Sequence, residues 1–317
     1  MPSIDMARPE LEAYRPPVNR PDDFASFWDG VLGEVHALSH ELALEPVDYP
    51  ARGVRVFRAS FAGVGGARLA GWYMTPDAEG PFPALAIYHG YSWMRGEPWS
   101  YLPWVAQGYA LLAVDVRGQG GESHDPRAFA PGAVSGWMTR GIDDPATYFY
   151  RDVYGDAAQT IEVLAARPEI DASRIATTGG SQGGGLSLAA AALSDRVIGA
   201  AADIPFLCHF RRAIDVSDAI PYREFEDYLR HHPDREERMW RTLGYFDLLN
   251  LAERITCPVL ISLGLRDLVC PPSTIYAVYN HLSGPKELAV YPAHGHAVPE
   301  IHTTRRLAWV NQLFGSG

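Results

Sequence analysis

The sequence predicts an α/β fold with a mostly parallel central sheet covered by helices on both faces. Three observations predict it. Six short runs, at 84–88, 110–115, 174–178, 197–202, 259–263 and 287–291, are apolar almost throughout rather than alternating. Each ends in turn residues, and helical patterns such as 152–166 and 299–314 lie between or after them. A strand that is apolar on both faces needs a helical layer on each side, which is the arrangement that parallel strands with helical crossovers supply.

Composition agrees with this class. The 317 residues are 47% hydrophobic and 21% charged, a balance that excludes disordered, fibrous and membrane-embedded chains. A chain of this length buries about three quarters of its unfolded surface and needs no disulfides. The 27 Lys+Arg stand against 38 Asp+Glu, a formal net charge of −11, so nucleic acid and anionic membrane surfaces are not the expected partners. Cys208, Cys257 and Cys270 are odd in number and lack C-x-x-C spacing, and they read as reduced, buried side chains. No signal-like opening is present and no apolar run approaches the ~18 residues of a spanning helix, so a soluble, cytoplasmic protein is expected.

Along the chain, about 1–45 is a polar, proline-rich extension in which Phe24, Phe27, Trp28, Val31 and Leu32 recur at helical spacing. Stretches 54–61 and 68–74, with Gly63, Gly65 and Gly66 between them, predict a hairpin that opens the sheet. Residues 122–151 show no clear periodicity. Residues 205–254 read as charged, aromatic-rich helices inserted between two strands, and no linker composition bounds them, so the expected organisation is a single domain over 1–317.

The strongest chemical signal is Gly179-Gly180-Ser181-Gln182-Gly183-Gly184, a G-x-S-x-G pattern between a strand and the small-residue helical run 186–193. A serine on so sharp a turn exposes its hydroxyl at the carboxyl edge of the sheet, and the flanking glycines remove β-carbons that would clash. Ser181 is therefore the expected nucleophile. The amide of Gln182 then points from a helix N-terminus at the place where a negative oxygen forms.

Serine is a weak nucleophile at neutral pH and needs an imidazole base, itself oriented by an acid, in the chain order Ser, acid, His. Asp267 follows the strand 259–263 by a short turn. Asp203 also follows a strand, and capping the inserted segment explains it equally well. His294 and His296 both fall between the last strand and the last helix and compete directly as the base, with loop position on the side of His296. His302 lies in a helical pattern and reads as a surface or packing residue. The loop His89-Gly90-Tyr91 is placed to supply a second oxyanion donor from the Tyr91 amide.

Arg117-Gly118-Gln119-Gly120-Gly121 lacks the lysine and Ser/Thr of a phosphate cradle, so Arg117 and Gln119 are expected to tie loops around the site. No histidine or carboxylate set has zinc-ligand spacing, and neither metal nor cofactor is expected. Tyr91, Trp93, Trp99, Tyr101 and Trp104 are placed either to line an acyl or sugar pocket or to pack against the core.

With these residues in hand, the chain resembles the acetyl xylan esterase and cephalosporin C deacetylase family, carbohydrate esterase family seven, of the α/β-hydrolase superfamily. The resemblance runs from about Phe24 to the last helix. It rests on Phe27-Trp28, Gly71-Trp72, His89-Gly90-Tyr91, Asp115 with Arg117-Gly118-Gln119-Gly120, Met138-Thr139-Arg140-Gly141-Ile142, the Ser181 turn, Pro205-Phe206-Leu207-Cys208-His209-Phe210 and Cys270-Pro271-Pro272-Ser273-Thr274. It implies an α/β-hydrolase fold with Ser181, Asp267 and His296 as nucleophile, acid and base, and Tyr91 and Gln182 as oxyanion donors, Tyr91 also lying against substrate. One departure is Ala297, where the family pattern has a glutamate after the histidine, which bears on loop anchoring or oligomer contacts.

The resemblance further implies a homo-oligomer, a ring-like hexamer with a narrow entrance shaped partly by 205–254. The expected function is thus serine carboxylesterase action on small O-acetylated substrates, acetylated xylo-oligosaccharides and cephalosporin C, without a cofactor. A longer-chain esterase, a peptidase and a non-catalytic scaffold are the alternatives that the same fold allows.

Overall fold

The structure, a computed structural model, describes residues 4–129 and 132–315. In chain order its strands are β1 (Ala43–Val47), β2 (Val54–Ala62), β3 (Arg68–Pro76), β4 (Phe82–Tyr88), β5 (Ala110–Val114), β6 (Ile170–Gly180), β7 (Val197–Asp203), β8 (Val259–Gly264) and β9 (Lys286–Tyr291). Among the described residues they form one sheet in the order β1-β2-β3-β5-β4-β6-β7-β8-β9. The first three strands and the β3–β5 junction are antiparallel, and from β5 to β9 every pairing is parallel.

The helices are α1 (Arg8–Ala13), α2 (Phe24–Ala37), α3 (Leu102–Val105), α4 (Phe149–Ala165), α5 (Gln182–Leu193), α6 (Phe210–Val216), α7 (Arg223–His231), α8 (Glu236–Phe246), α9 (Leu248–Leu251), α10 (Pro272–His281) and α11 (Glu300–Gly315). Strand geometry explains why the central runs are apolar throughout. Along β4, Ala84, Ala86 and Tyr88 face a core shared with α2, α4, α5 and α10, whereas Leu85 and Ile87 face a second core shared with α3 and α11. The fold is thus the expected α/β architecture, with a sheet between two helical layers.

Three local expectations need correction. The 54–74 hairpin forms as β2 and β3, but it does not open the sheet, because β1 pairs with β2 outside it. That edge strand contains Pro46 and is exposed or half-buried, so it carries no apolar pattern to read. Helix α4 begins at Phe149, ahead of the expected 152. Arg117 does not tie loops around the serine turn. It is fully buried and donates to Asp152, Asp156 and the Val64 carbonyl, joining α4 to the β2–β3 turn.

Helix α2 buries Phe24, Trp28, Val31 and Val35, one face at helical spacing. Trp28 packs against Tyr154 of α4 and Phe246 of α8, and its indole N–H donates to the Tyr245 carbonyl at 3.2 Å. The N-terminal helix therefore locks the inserted segment, α6 to α9, onto the sheet's helical cover. Within the described residues no helix is long and apolar enough to cross a membrane. All three cysteines are free; Cys208 and Cys270 are buried as expected, whereas Cys257, just ahead of β8, is only half-buried.

Candidate active site

Parallel register brings the carboxyl ends of the central strands to one edge: Tyr88 pairs with Gly179, Gly180 with Asp203, Asp203 with Ser262 and Gly264 with Tyr291. The loops that leave this edge carry Tyr91, Ser181, Asp267 and His296. Between the end of β6 and the start of α5 a single residue, Ser181, makes the turn, at φ 57° and ψ −119°. That backbone is costly for a residue with a β-carbon and is held by its surroundings. The Ser181 amide donates to the Asp203 carbonyl at 2.9 Å, and its own carbonyl accepts from Gly185 and Phe206. A β-carbon on Gly183 would lie 2.0 Å from the Tyr88 carbonyl oxygen, so only glycine lets α5 start so close to β4.

His296, in the turn between β9 and α11, bridges to both partners expected of it. Its Nε2 lies 3.0 Å from Ser181 Oγ and its Nδ1 lies 2.8 Å from Asp267 Oδ2. Asp267 is fully buried, and its other oxygen accepts the amides of Val269 and Cys270 at 2.8 Å each. The carboxylate is therefore fixed in direction, which puts the imidazole proton on Nδ1 and leaves Nε2 to accept from the serine hydroxyl. His294 is elsewhere: its carbonyl accepts from the Arg266 amide, and its ring packs on Tyr291 at 5.8 Å.

The amides of Tyr91 and Gln182 donate to no acceptor among the described residues. Gln182 is the first residue of α5, where helix geometry leaves the N–H without an internal partner. The Tyr91 loop passes beside the serine: a β-carbon on Gly90 would sit in ordinary contact with Ser181 Cβ, at 4.0 Å. The loop is anchored from below. His89 Nε2 accepts the Val116 amide at 2.8 Å, which leaves Nδ1–H to donate to the Gly90 carbonyl, and burial holds this ring below the ordinary histidine range. Gln119, as expected, ties loops at the site: its Oε1 accepts from the Ser92 amide, and its side-chain amide pairs with that of Gln182.

Several residues here were not legible as site residues. Tyr150 donates to Gln182 Oε1, and Glu224 of the insertion accepts from the Tyr91 hydroxyl. Nothing marks Glu224 in sequence, since it sits in a charged helix 133 positions away. Asp203 does not cap the inserted segment, and His302 is not at the surface. The two form a buried pair at 2.6 Å. The aromatic run divides, with Trp104 buried, Tyr91 and Tyr101 half-buried, and Trp93 and Trp99 exposed.

Asp267, Cys270 and His296 bring one donor atom each within 4.8 Å of one another, a set that the spacing did not reveal. The atoms of Asp267 and His296 are already engaged with each other, and burial pushes the Cys270 thiol up, away from the thiolate that a metal takes.

The whole chain is similar to known proteins in sequence and fold. The acetyl xylan esterase (AXE1) family model matches residues 1–313. An acetyl xylan esterase from Paenibacillus sp. R4 is 41% identical, covering 96% of this chain and 99% of that one, with a TM-score of 0.94. Acetyl xylan esterase 1 from Thermoanaerobacterium sp. JW/SL YS485 is 36% identical, with coverage of 98% and 99% and a TM-score of 0.93. The acetyl esterase Axe7A of Xylanibacter ruminicola is 28% identical over 312 residues, 95% of this chain and 69% of that protein. From fold and family match together, the chain belongs to the acetyl xylan esterase family, carboxylic ester hydrolases on the α/β-hydrolase scaffold.

Proposed function

We propose that this protein removes O-acetyl groups from small molecules, acetylated xylo-oligosaccharides first and the 3′-acetyl of cephalosporin C among them, through an acyl-enzyme. The observation that carries the reading is the hydrogen-bonded line from Asp267 through His296 to Ser181, with steps of 2.8 and 3.0 Å, in a chain of this family.

The chemistry follows from that line. Ser181 Oγ attacks the acetyl carbonyl carbon while its proton passes to His296 Nε2, and Asp267 stabilises the imidazolium. The carbonyl electron pair moves onto oxygen, where the amides of Tyr91 and Gln182 receive it; one such donor is worth about 100- to 1000-fold in turnover. Collapse expels the sugar oxygen, which takes the proton from His296. Water then attacks the acetyl-serine with His296 as base, releasing acetate and restoring Ser181.

Assembly as a homo-oligomer, a hexamer in the family reading, is part of the same proposal. Its support here is exposed apolar surface on the loop beyond Tyr91, where Trp93 is 70% and Trp99 66% exposed.

Initial rates on p-nitrophenyl esters from acetate to octanoate, beside acetylated xylo-oligosaccharides and cephalosporin C, test the substrate class. The proposal expects acetate to lead and rates to fall beyond propionate. Faster turnover of octanoate contradicts it.

A further inference from the structure

The Tyr91 side chain ends in a closed, partly buried hydrogen-bonded circuit that lies apart from the reacting groups. Its hydroxyl donates to Glu224 Oε1 at 2.6 Å and accepts the Trp137 amide at 2.8 Å. The other Glu224 oxygen accepts the next amide, that of Met138, at 2.9 Å. Three distant parts of the chain meet there: the loop after β4, the irregular segment before α4, and the first turn of α7 in the insertion. Glu224 is 6% exposed, and burial raises its carboxyl above the usual range, so the charge is held by these donors rather than by water.

The cradle around it leaves no slack. Gly136 has φ +101°, and a β-carbon there would fall 2.0–2.2 Å from the Glu224 carboxylate atoms. The Tyr91 ring is itself wedged edge-on between Trp137, at 5.4 Å, and Phe206, at 6.2 Å, and the Phe206 amide bonds the Ser181 carbonyl.

We infer that Glu224 is a positioning residue for ester hydrolysis, fixing the direction of the Tyr91 amide by clamping the far end of the Tyr91 side chain. The inference rests on the reading of that amide as an oxyanion donor. Loop 89–93 is held on one side by the Gln119 and Gln182 pair. On the other, Glu224 is the buried charged group that reaches it. An oxyanion donor acts only if it points at the oxygen in the transition state, and a displacement near 1 Å costs on the order of 100-fold. The inserted helices thus complete the donor geometry of a site whose reacting groups all lie outside them.

The test compares wild type, Glu224→Gln and Tyr91→Phe. The glutamine cannot accept from both the tyrosine hydroxyl and the Met138 amide, and the phenylalanine removes one oxygen atom while keeping the backbone amide. Each is assayed for kcat and KM on p-nitrophenyl acetate, for melting temperature, and for inhibition by 1,1,1-trifluoroacetone. With this ketone Ser181 Oγ bonds the carbonyl carbon, the carbonyl pair becomes the oxyanion, and the serine proton passes to His296.

The expected result is a fall in kcat of about 10- to 100-fold in both variants with KM within about twofold, and an equal loss of ketone affinity. The double variant should be no worse than the poorer single one. A kcat within twofold of wild type in either soluble variant overturns the clamp, as does a loss that appears in KM alone or leaves ketone affinity untouched. If wild type neither turns over the ester nor binds the ketone, the hydrolase reading itself fails and the clamp with it. Should Glu224→Gln not fold, the more conservative Tyr91→Phe still decides the question.

Discussion

His302, fully buried in the first turn of α11, holds Asp203 at the end of β7 with a 2.6 Å hydrogen bond across 99 positions of sequence. The other ring nitrogen meets the Tyr291 hydroxyl at 2.8 Å. Tyr291 closes β9, so this one ring ties together both ends of the 292–299 turn that carries His296. Asp203 is shared further, accepting from Ser262 and from Arg306, and these partners hold its carboxyl below the usual range despite burial.

Replacing His302 by leucine should therefore destabilise the protein and slow catalysis together. Leaving a buried acceptor short of one donor costs about 1–3 kcal/mol, and Ser262 and Arg306 still hold the Asp203 carboxylate. Urea unfolding measures it; a stability within about 0.5 kcal/mol of wild type, the ordinary scatter of a neutral substitution, would show that the pair is dispensable.

Asp267→Asn separates orientation from folding. The two amides from Val269 and Cys270 still find an acceptor in the asparagine oxygen, so the melting temperature should stay close to wild type. The side-chain NH2 then faces His296 and favours the wrong tautomer, which lowers kcat by about 10,000-fold. A fall smaller than tenfold, in a purified and folded sample, removes Asp267 from its role.

Gly183→Ala sets two effects against each other. Alanine gains about 1 kcal/mol of helix propensity over glycine. Its β-carbon would meet backbone at 2.0 Å, which no rotamer relieves, and overpacking of that kind costs about 3 kcal/mol. A net loss of about 2 kcal/mol follows, and an increase in chemical-denaturation midpoint would be the contrary result.

The pH dependence of stability has a local source in His209. Burial, with Arg212 beside it, lowers this ring to about 4. The unfolded chain, at the ordinary 6.5, binds the proton more tightly, so this contribution is whole above pH 6.5 and is lost as pH falls toward 4. Arg211 and His281 act in the same direction, whereas Asp215 opposes them. Asparagine tolerates the left-handed backbone of this position, φ 44°, and His209→Asn should lose less stability than wild type between pH 7 and pH 4.5. Asp247, raised to about 6 by burial, titrates oppositely but is common to both proteins. Equal acid losses in denaturant titrations would count against the assignment.

What sequence disclosed, and what it hid, divides along physical lines. Central strands such as β4 are legible because both faces are buried, and Ser181 is legible because the turn around it demands glycines. Asp267 follows from a strand end and chain order, which narrow the base to His294 or His296; loop position together with the family resemblance selects His296. β1 was hidden because an edge strand owes its existence to a partner rather than to its own pattern. Glu224 and His302 were hidden for the opposite reason: each is polar on a helix where a solvated role is the ordinary one, and only the distant partner, Tyr91 or Asp203, makes it a buried contact.

The most direct measurement of the central claim is p-nitrophenyl acetate hydrolysis by wild type and Ser181→Ala, with fluorophosphonate labelling of both. The account predicts a wild type that is active and labelled at Ser181, and a variant that melts near the wild-type temperature, takes no label and loses several orders of magnitude in kcat. A folded Ser181→Ala protein with comparable turnover would contradict it.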